Sequence, residues 1–167
     1  MADTVNAIMD SAERRIRAAG YHGFSYREVA ADVGVKAASV HYHYPSKDAL
    51  AAAVARRYND RVVEAVERQT AIGVGIVGAW RNVFRDALMD GARMCLCGAL
   101  GVTVSGLAPA VTEEVQRFFA LGVESLVKGG LTKADAVRIL AQLEGAILMA
   151  SAHDDPSLFD AAADNLR

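Results

Sequence analysis

Apolar residues recur with helical spacing along nearly all of the 167 residues, and this period constrains the fold more than any other feature. Near the start of the chain, Ile8, Ala12, Ile16 and Ala19 fall on one face of a helix that Gly20 ends. No stretch shows the sustained alternation of apolar and polar residues that marks a half-buried strand. The sequence therefore predicts an all-α fold.

The composition indicates a globular protein, because 53% of the residues are hydrophobic and 23% are charged. The longest apolar stretch, at about 94–108, is interrupted by glycine and hydroxyl residues and is shorter than the roughly 20 residues that span a bilayer. The first twenty residues carry charges and lack the apolar run of a secretory signal. Cys95 and Cys97 are too few and too close for a disulfide framework. We expect no membrane segment and a cytoplasmic location.

A short segment after the first helix has the spacing of a helix-turn-helix. Ser25 and Glu28 form a Ser-x-x-Glu capping box that begins a helix, and Gly34 is placed to end it. Ala30 allows a close helix crossing, while Val40 belongs to the second helix and completes the small shared core. An ordinary pair of antiparallel helices is the alternative. The charge distribution gives little indication of nucleic-acid binding, since residues 1–61 hold nine Lys and Arg against seven Asp and Glu.

Residues 34–50 read Gly-Val-Lys-Ala-Ala-Ser-Val-His-Tyr-His-Tyr-Pro-Ser-Lys-Asp-Ala-Leu. They resemble the TetR family of bacterial transcriptional repressors, in which the second helix of the motif runs into a Tyr/Phe-Pro-Ser-Lys turn. The resemblance covers roughly residues 8–58. It implies an N-terminal three-helix DNA-binding domain, which we place at residues 1–48, and a helical ligand-binding and dimerisation domain at residues 49–167. The function it implies is a homodimeric repressor that binds a palindromic DNA operator and is released by a small-molecule effector, without a cofactor.

The same resemblance implies which residues contact DNA. Lys47, at the start of the helix after the turn, is the expected phosphate clamp. Direct base contacts are expected from Lys36 and His41, because Ala37 and Ala38 offer only methyl groups to thymine. Tyr44 occupies the position of a core aromatic residue. The predicted DNA-binding residues are Ser25, Tyr26, Arg27, Lys36, Ala37, Ala38, Ser39, His41, Tyr42, His43 and Lys47.

Large side chains in the central helices are candidates for an effector pocket that takes an apolar or aromatic molecule. Ordinary core packing explains the same side chains equally well. Arg81, Arg85 and Arg93 are weaker candidates for binding an anionic group. The predicted ligand-binding residues are Trp80, Phe84, Met94, Cys95, Phe118 and Phe119.

Two other functions remain open at this point. Cys95 and Cys97 suggest a redox or electrophile sensor on the same scaffold, although residues two apart face different sides of a helix and buried cysteines are usually inert. A helical interaction module without DNA binding is a second alternative. An enzyme is not expected, because Gly-x-Ser-x-Gly, P-loop and His-Glu-x-x-His motifs are all absent. No metal site is expected either, since His41 and His43 lie on different faces without a third ligand.

The expected dimer interface combines a helix at about 132–152 with a shorter one at about 157–166. The longer helix mixes small and large apolar residues on more than one side, so a single domain does not cover it. A two-fold axis would present two recognition helices to successive major grooves about 34 Å apart. The predicted interface residues are Leu140, Leu143, Gly145, Ile147, Leu148, Leu158, Phe159 and Ala162.

Overall fold

The computed structural model describes residues 2–91 and 94–166, and these residues form α-helices, two short 3-10 turns and no strand. The all-α prediction is confirmed. Within these ranges, every helix is too short or too polar to cross a membrane. The helices are α1 Ala2–Ala19, α2 Tyr26–Val33, α3 Ala37–His43, α4 Lys47–Ala71, α5 Ile76–Met89, α6 Leu96–Gly101, α7 Pro109–Lys128, α8 Lys133–His153 and α9 Ser157–Ala163.

Side-chain caps begin the helices where the sequence predicts them. The Ser25 hydroxyl accepts from the backbone N–H of Glu28 at 3.3 Å and donates to its carboxylate at 2.7 Å, which completes the capping box of α2. Thr132 and Asp135 form the same arrangement at the start of α8, with distances of 3.1 and 2.6 Å. These caps satisfy backbone donors that a helix end otherwise leaves free.

The chain divides into two compact units. The first comprises Met1–Tyr58 and Leu96–Val115, and the second comprises Asn59–Cys95 and Gln116–Arg167. The divisions fall inside α4 and α7, so each of these helices contributes to both units. This structural division differs from the functional boundary at residue 48, which stays a prediction.

The first unit has an apolar core with a charged group beside it. Its fully buried residues come from α1, α2, α3, α4, α6 and the start of α7. Arg17 and Glu13 of α1 are also buried and lie 3.8 Å apart. Arg57 of α4 reaches Glu13 at 3.1 Å and Asp10 at 2.7 Å. Pairing is what makes burial of such charges tolerable.

The second unit is built around an aromatic cluster. Trp80 is fully buried and donates its indole N–H to the Ser125 hydroxyl at 3.1 Å. The rings of Trp80, Phe84 and Phe118 lie with centroids 6.2–6.4 Å apart. Helix α9 packs on α8, and the Gln142 amide donates to the carbonyl of Ala162 at 2.6 Å. This cluster occupies the region in which the sequence predicts an effector pocket.

Candidate nucleic-acid interface and effector site

The turn between α2 and α3 has the geometry that its sequence predicts. Gly34 ends α2 with a left-handed backbone at φ 74°, which a residue without Cβ adopts at no steric cost. The backbone N–H of Val35 then donates to the carbonyl of Ala30 at 2.9 Å. Ala30 is buried at the helix crossing, and Val40 is buried on the inner side of α3. The motif is a helix-turn-helix.

Opposite Val40, α3 presents a continuous outer face. Ser39 and His43 are half-buried along its sides, while the Tyr42 ring is 82% exposed. This face carries donors and methyl groups rather than acidic side chains, so it is chemically suited to the floor of a major groove. The fully exposed predicted contacts on it are Lys36, Ala37, Ala38, His41 and Tyr42.

Tyr26 lies inside the domain and not on the surface, where a side chain could contact a phosphate. Its side chain is buried, and its hydroxyl donates to the carbonyl of Tyr44 at 2.7 Å. Burial raises the pKa of Tyr26 to about 12. Its ring meets that of His41 edge-on at 4.3 Å. We therefore correct the prediction for Tyr26: it positions α3 and His41, because its polar atom is already bound inside the domain.

Lys47 has two aromatic partners that sequence reasoning missed. Its ammonium lies 4.4 Å from the ring centroid of Tyr21 and 4.6 Å from that of Phe24. Partial burial lowers the pKa of Lys47. The Tyr21 hydroxyl donates to the carboxylate of Asp48, the next residue along α4. Cation–π contacts of this kind hold the start of α4 against the loop before α2.

Asp32 of α2 anchors the motif to α1, which was also missed. Arg15 binds both of its carboxylate oxygens, at 2.8 and 2.9 Å, and the Ser11 hydroxyl donates to it at 2.6 Å. The Arg15 hydrogen bond, followed by that of Ser11, holds the pKa of Asp32 well below its usual range. Arg15 also reaches Glu28 at 3.2 Å. The partners are 17 and 21 residues apart in the sequence, so no local pattern indicates them.

The predicted effector residues are mostly core. Trp80, Phe84, Cys95 and Phe118 are buried, whereas Met94 and Phe119 are half-buried. Of the arginines considered for an anionic group, Arg85 binds both oxygens of Asp160 at 2.7 and 2.9 Å. Arg81 is half-buried, and Arg93 lies outside the described residues. The described residues contain no group of three or more side chains able to hold a metal ion.

Glu144 on α8 is the polar group of this region that the sequence analysis overlooked. Burial raises its pKa to about 7, and a hydrogen bond from the Cys95 thiol opposes part of that shift. Its Oε1 atom is buried and has no hydrogen-bond partner among the described residues. In the sequence, Glu144 has the position expected of an ordinary surface residue of an amphipathic helix, next to the apolar Leu143. Only the packing shows that one of its carboxylate oxygens is buried.

Four of the eight predicted interface residues are buried within the subunit, so the predicted interface needs a correction. Leu140, Leu143, Ile147 and Phe159 are buried in the core of their own subunit and are not free to contact a partner. Leu158 and Ala162 are half-buried on α9. Leu148 is 53% exposed and Gly145 is half-buried.

A shallow apolar groove of about 610 Å³ lies on α7 and the start of α8. Val123 and Val127 line it together with Phe119, Ala120 and Lys133. A second open cleft of about 500 Å³ lies between α4, α5 and α7. Exposed apolar side chains of the second unit lie on α7 and α8, at Val127, Val137, Leu148 and Met149, and also at Ile72 and Met89.

A helix-turn-helix with an exposed recognition helix, followed by a separate helical unit, defines a DNA-binding transcriptional regulator. Residues 8–54 match the family model of bacterial regulatory proteins of the tetR family. The match covers the helix-turn-helix and the first part of α4. No curated protein matches the sequence.

Solved structures resemble the chain over nearly its whole length. A TetR-family transcriptional regulator from Agrobacterium tumefaciens has a TM-score of 0.87 and 24% identity, covering 98% of this chain and 95% of that chain. A TetR regulator from Legionella pneumophila has a TM-score of 0.85 and 24% identity, covering 95% and 92%. The multidrug binding protein EbrR, solved with imidazole, has a TM-score of 0.68 and 24% identity, covering 95% and 85%. At these identities the likeness shows the fold.

Proposed function

We propose that this regulator is a repressor that binds a palindromic operator as a homodimer and leaves it when a small molecule binds. The exposed outer face of α3 is the observation that carries the proposal. In this arrangement α3 lies in the major groove, where Lys36 and His41 reach base edges. The N-terminal end of α2, with Ser25 and Arg27, approaches the phosphates, because free backbone N–H groups at a helix start favour an anion.

The dimer interface that we propose is formed by α7 and α8, in place of the α8 and α9 pair expected from the sequence. The outward side of α8 is largely apolar over five turns, with the exposed charges of Lys133 at its start and Arg138 within it. A Cβ atom at Gly145 would meet no heavy atom within 4 Å among the described residues, so a partner helix has room to approach closely there. The residues of this side, which we call the α8 face, are Ala134, Val137, Ala141, Gly145, Leu148, Met149 and Ala152.

A second copy of the chain is the occupant that suits the α8 face. A two-fold axis near Gly145 packs the face against itself, which buries Leu148 and Met149 of both copies. The groove at Val123 and Val127 adds apolar surface on α7. A palindromic operator needs two recognition helices related by the same two-fold axis.

The effector response rests on the resemblance to the family, since the aromatic cluster of Trp80, Phe84 and Phe118 is packed as core. The related fold of EbrR holds imidazole. A cysteine sensor has less support, because both thiols are buried and closed to a modifying reagent. We therefore favour noncovalent binding of an effector.

Selection of duplexes from a random library, followed by fluorescence anisotropy, tests the operator proposal. The wild-type chain should enrich a palindrome. Lys36→Ala should weaken binding to it at least tenfold while leaving thermal unfolding unchanged, because the side chain is exposed. Arg68→Ala, which removes an exposed positive charge from α4, is the matched control and should leave affinity unaltered. Enrichment of no sequence, or equal loss in both variants, would contradict the proposal.

A further inference from the structure

Two neighbouring side chains on the outer face of α3, His41 and Tyr42, are held differently by the protein. The Tyr42 ring is 82% exposed and contacts the ring of the next residue, His43. The His41 ring packs edge-on against the buried ring of Tyr26 on α2, with centroids 4.3 Å apart and planes at 71°. A contact with a buried ring of another helix restricts the rotamers of an otherwise exposed side chain. His41 therefore has a defined orientation on the exposed face.

Tyr26 can orient the His41 ring because its own side chain is fixed. It is the first residue of α2, directly after the Ser25 cap, and its hydroxyl donates to the carbonyl of Tyr44 at 2.7 Å. Tyr44 is the residue at which α3 ends. Close packing around the buried ring leaves it little room for another rotamer. One residue of α2 thus holds both the end of α3 and the ring of His41.

The imidazole of His41 is free to bind a ligand. Across residues 2–91 and 94–166, neither of its ring nitrogens has a hydrogen-bond partner. Ala37 lies one helical turn before it, and Lys36 precedes that residue, so no carboxylate competes for its N–H. An imidazole N–H donates a single hydrogen bond in the plane of the ring. In the major groove, guanine presents two adjacent acceptors, N7 and O6, whereas adenine places an amino group beside N7. An oriented imidazole donor therefore suits guanine.

We propose that Tyr26 is a positioning residue for base recognition: it orients His41 toward a guanine in each half-site and so sets the sequence preference at that base pair. The inference rests on the operator binding proposed above. Tyr26 itself contacts no DNA. A freely rotating His41 would also donate to phosphate oxygens, which gives affinity without base preference. Because folding of the domain already orders the ring, binding does not lose that conformational entropy again.

A change in base preference separates this role from a merely structural one. Base preference is the ratio of the affinity for the operator to the affinity for a duplex in which that guanine is replaced in both half-sites. Loss of a structural contact weakens binding to both duplexes alike, so the ratio stays the same. Loss of the positioning contact lowers the ratio, because it removes a contact that only one duplex offers.

Selection from a random duplex library, carried out with the wild type and with His41→Ala, tests the proposal. The two enriched palindromes should differ at one base pair of the half-site, where the wild type selects guanine. Fluorescence anisotropy should then give the wild type at least a tenfold preference for guanine over adenine at this position. His41→Ala should show a preference of at most twofold.

Substitutions of Tyr26 separate its ring from its hydroxyl. Tyr26→Leu, and Tyr26→Met as a second replacement that fills the space flexibly, should reduce the preference to that of His41→Ala. Tyr26→Phe keeps the ring and should keep the preference. In the double variant, Tyr26→Leu should cause no further loss of preference once His41 is alanine, since the two residues act as one unit.

Tyr58→Leu is the matched control, because Tyr58 is a buried tyrosine of α4 whose ring lies against Arg17 of α1. It should lower the unfolding midpoint and keep the base preference. An unchanged preference in His41→Ala or in a folded Tyr26→Met, or a loss of preference in Tyr26→Phe, would overturn the inference. Enrichment of no palindrome by the wild type refutes the proposed function, whereas the same palindrome from the wild type and His41→Ala refutes this inference alone.

Discussion

The two units of the chain treat polar and apolar groups differently. In the first unit, Asp32 and Arg57 bind opposite charges, and Lys47 lies on two aromatic rings. In the second unit, the half-buried Glu144 has one buried oxygen without a hydrogen-bond partner among the described residues, and the α8 face leaves apolar side chains in solvent. The ion pairs join the helices of the first unit, although the Nε atom of Arg57 is buried without a hydrogen-bond partner among the described residues. The second unit has apolar surface that a second subunit would cover.

The largest expected effect comes from placing a charge on the apolar α8 face. Leu148→Glu should leave the fold intact, since the side chain is exposed, and should place like charges together across the two-fold axis. We expect a monomer by sedimentation and a loss of operator affinity of about tenfold to a hundredfold, because one recognition helix binds only a half-site. Val102→Glu, at an exposed apolar residue of the first unit, is the control. A Leu148→Glu dimer with normal operator affinity would place the interface elsewhere.

Glu144→Gln should remove the unsatisfied charge of the second unit. The folded-state pKa of about 7 lies above the usual value of 4.5, so the folded state retains a proton that the unfolded state loses. Wild-type stability should therefore fall as the pH rises from about 4.5 to 7 and stay low above that. At pH 8 the variant should be more stable by on the order of 1–3 kcal/mol, and at pH 4 the difference should vanish. Parallel urea titrations at the two pH values measure it, and a variant less stable at pH 8 would contradict the assignment.

Asp32→Asn should act with the opposite sign. The folded-state pKa of Asp32 lies below its ordinary value, so its pairing with Arg15 stabilises the fold at neutral pH and is lost as the pH falls below the usual Asp range. The pair is partly exposed, and such pairs contribute less than about 1 kcal/mol. We expect the unfolding midpoint of the variant to fall by a few degrees at pH 7, with a smaller deficit in acid. A deficit that grows in acid would be inconsistent with this pairing.

Lys47→Met should have the smallest effect, because methionine keeps the packing on Tyr21 and Phe24 while removing the charge. If Lys47 also contacts a phosphate, the slope of log affinity against log salt should decrease by about 1 for any duplex. Anisotropy at four salt concentrations measures the slope. An unchanged slope would show that the ammonium serves only to join the two rings.

Local sequence was sufficient for the parts of the structure that depend on neighbouring residues. Helical period predicted the all-α fold, the Ser25 capping box predicted the start of α2, and Gly34 predicted the turn of the motif. These features involve hydrogen bonds between residues three to five apart. The resemblance of residues 34–50 added the family, which the match over residues 8–54 bears out.

Contacts between distant residues were decided only by the tertiary structure. A helical period shows which residues share a face, but not which neighbour covers that face. For this reason the sequence predicts a DNA contact at Tyr26 and an interface contact at Ile147, and it indicates no role for Glu144. Arg15 and Asp32, like Lys47 and Tyr21, meet because helices pack together, and no spacing in the sequence encodes such a meeting. Burial is a property of the assembled helices, and burial is what changes the chemistry of Glu144.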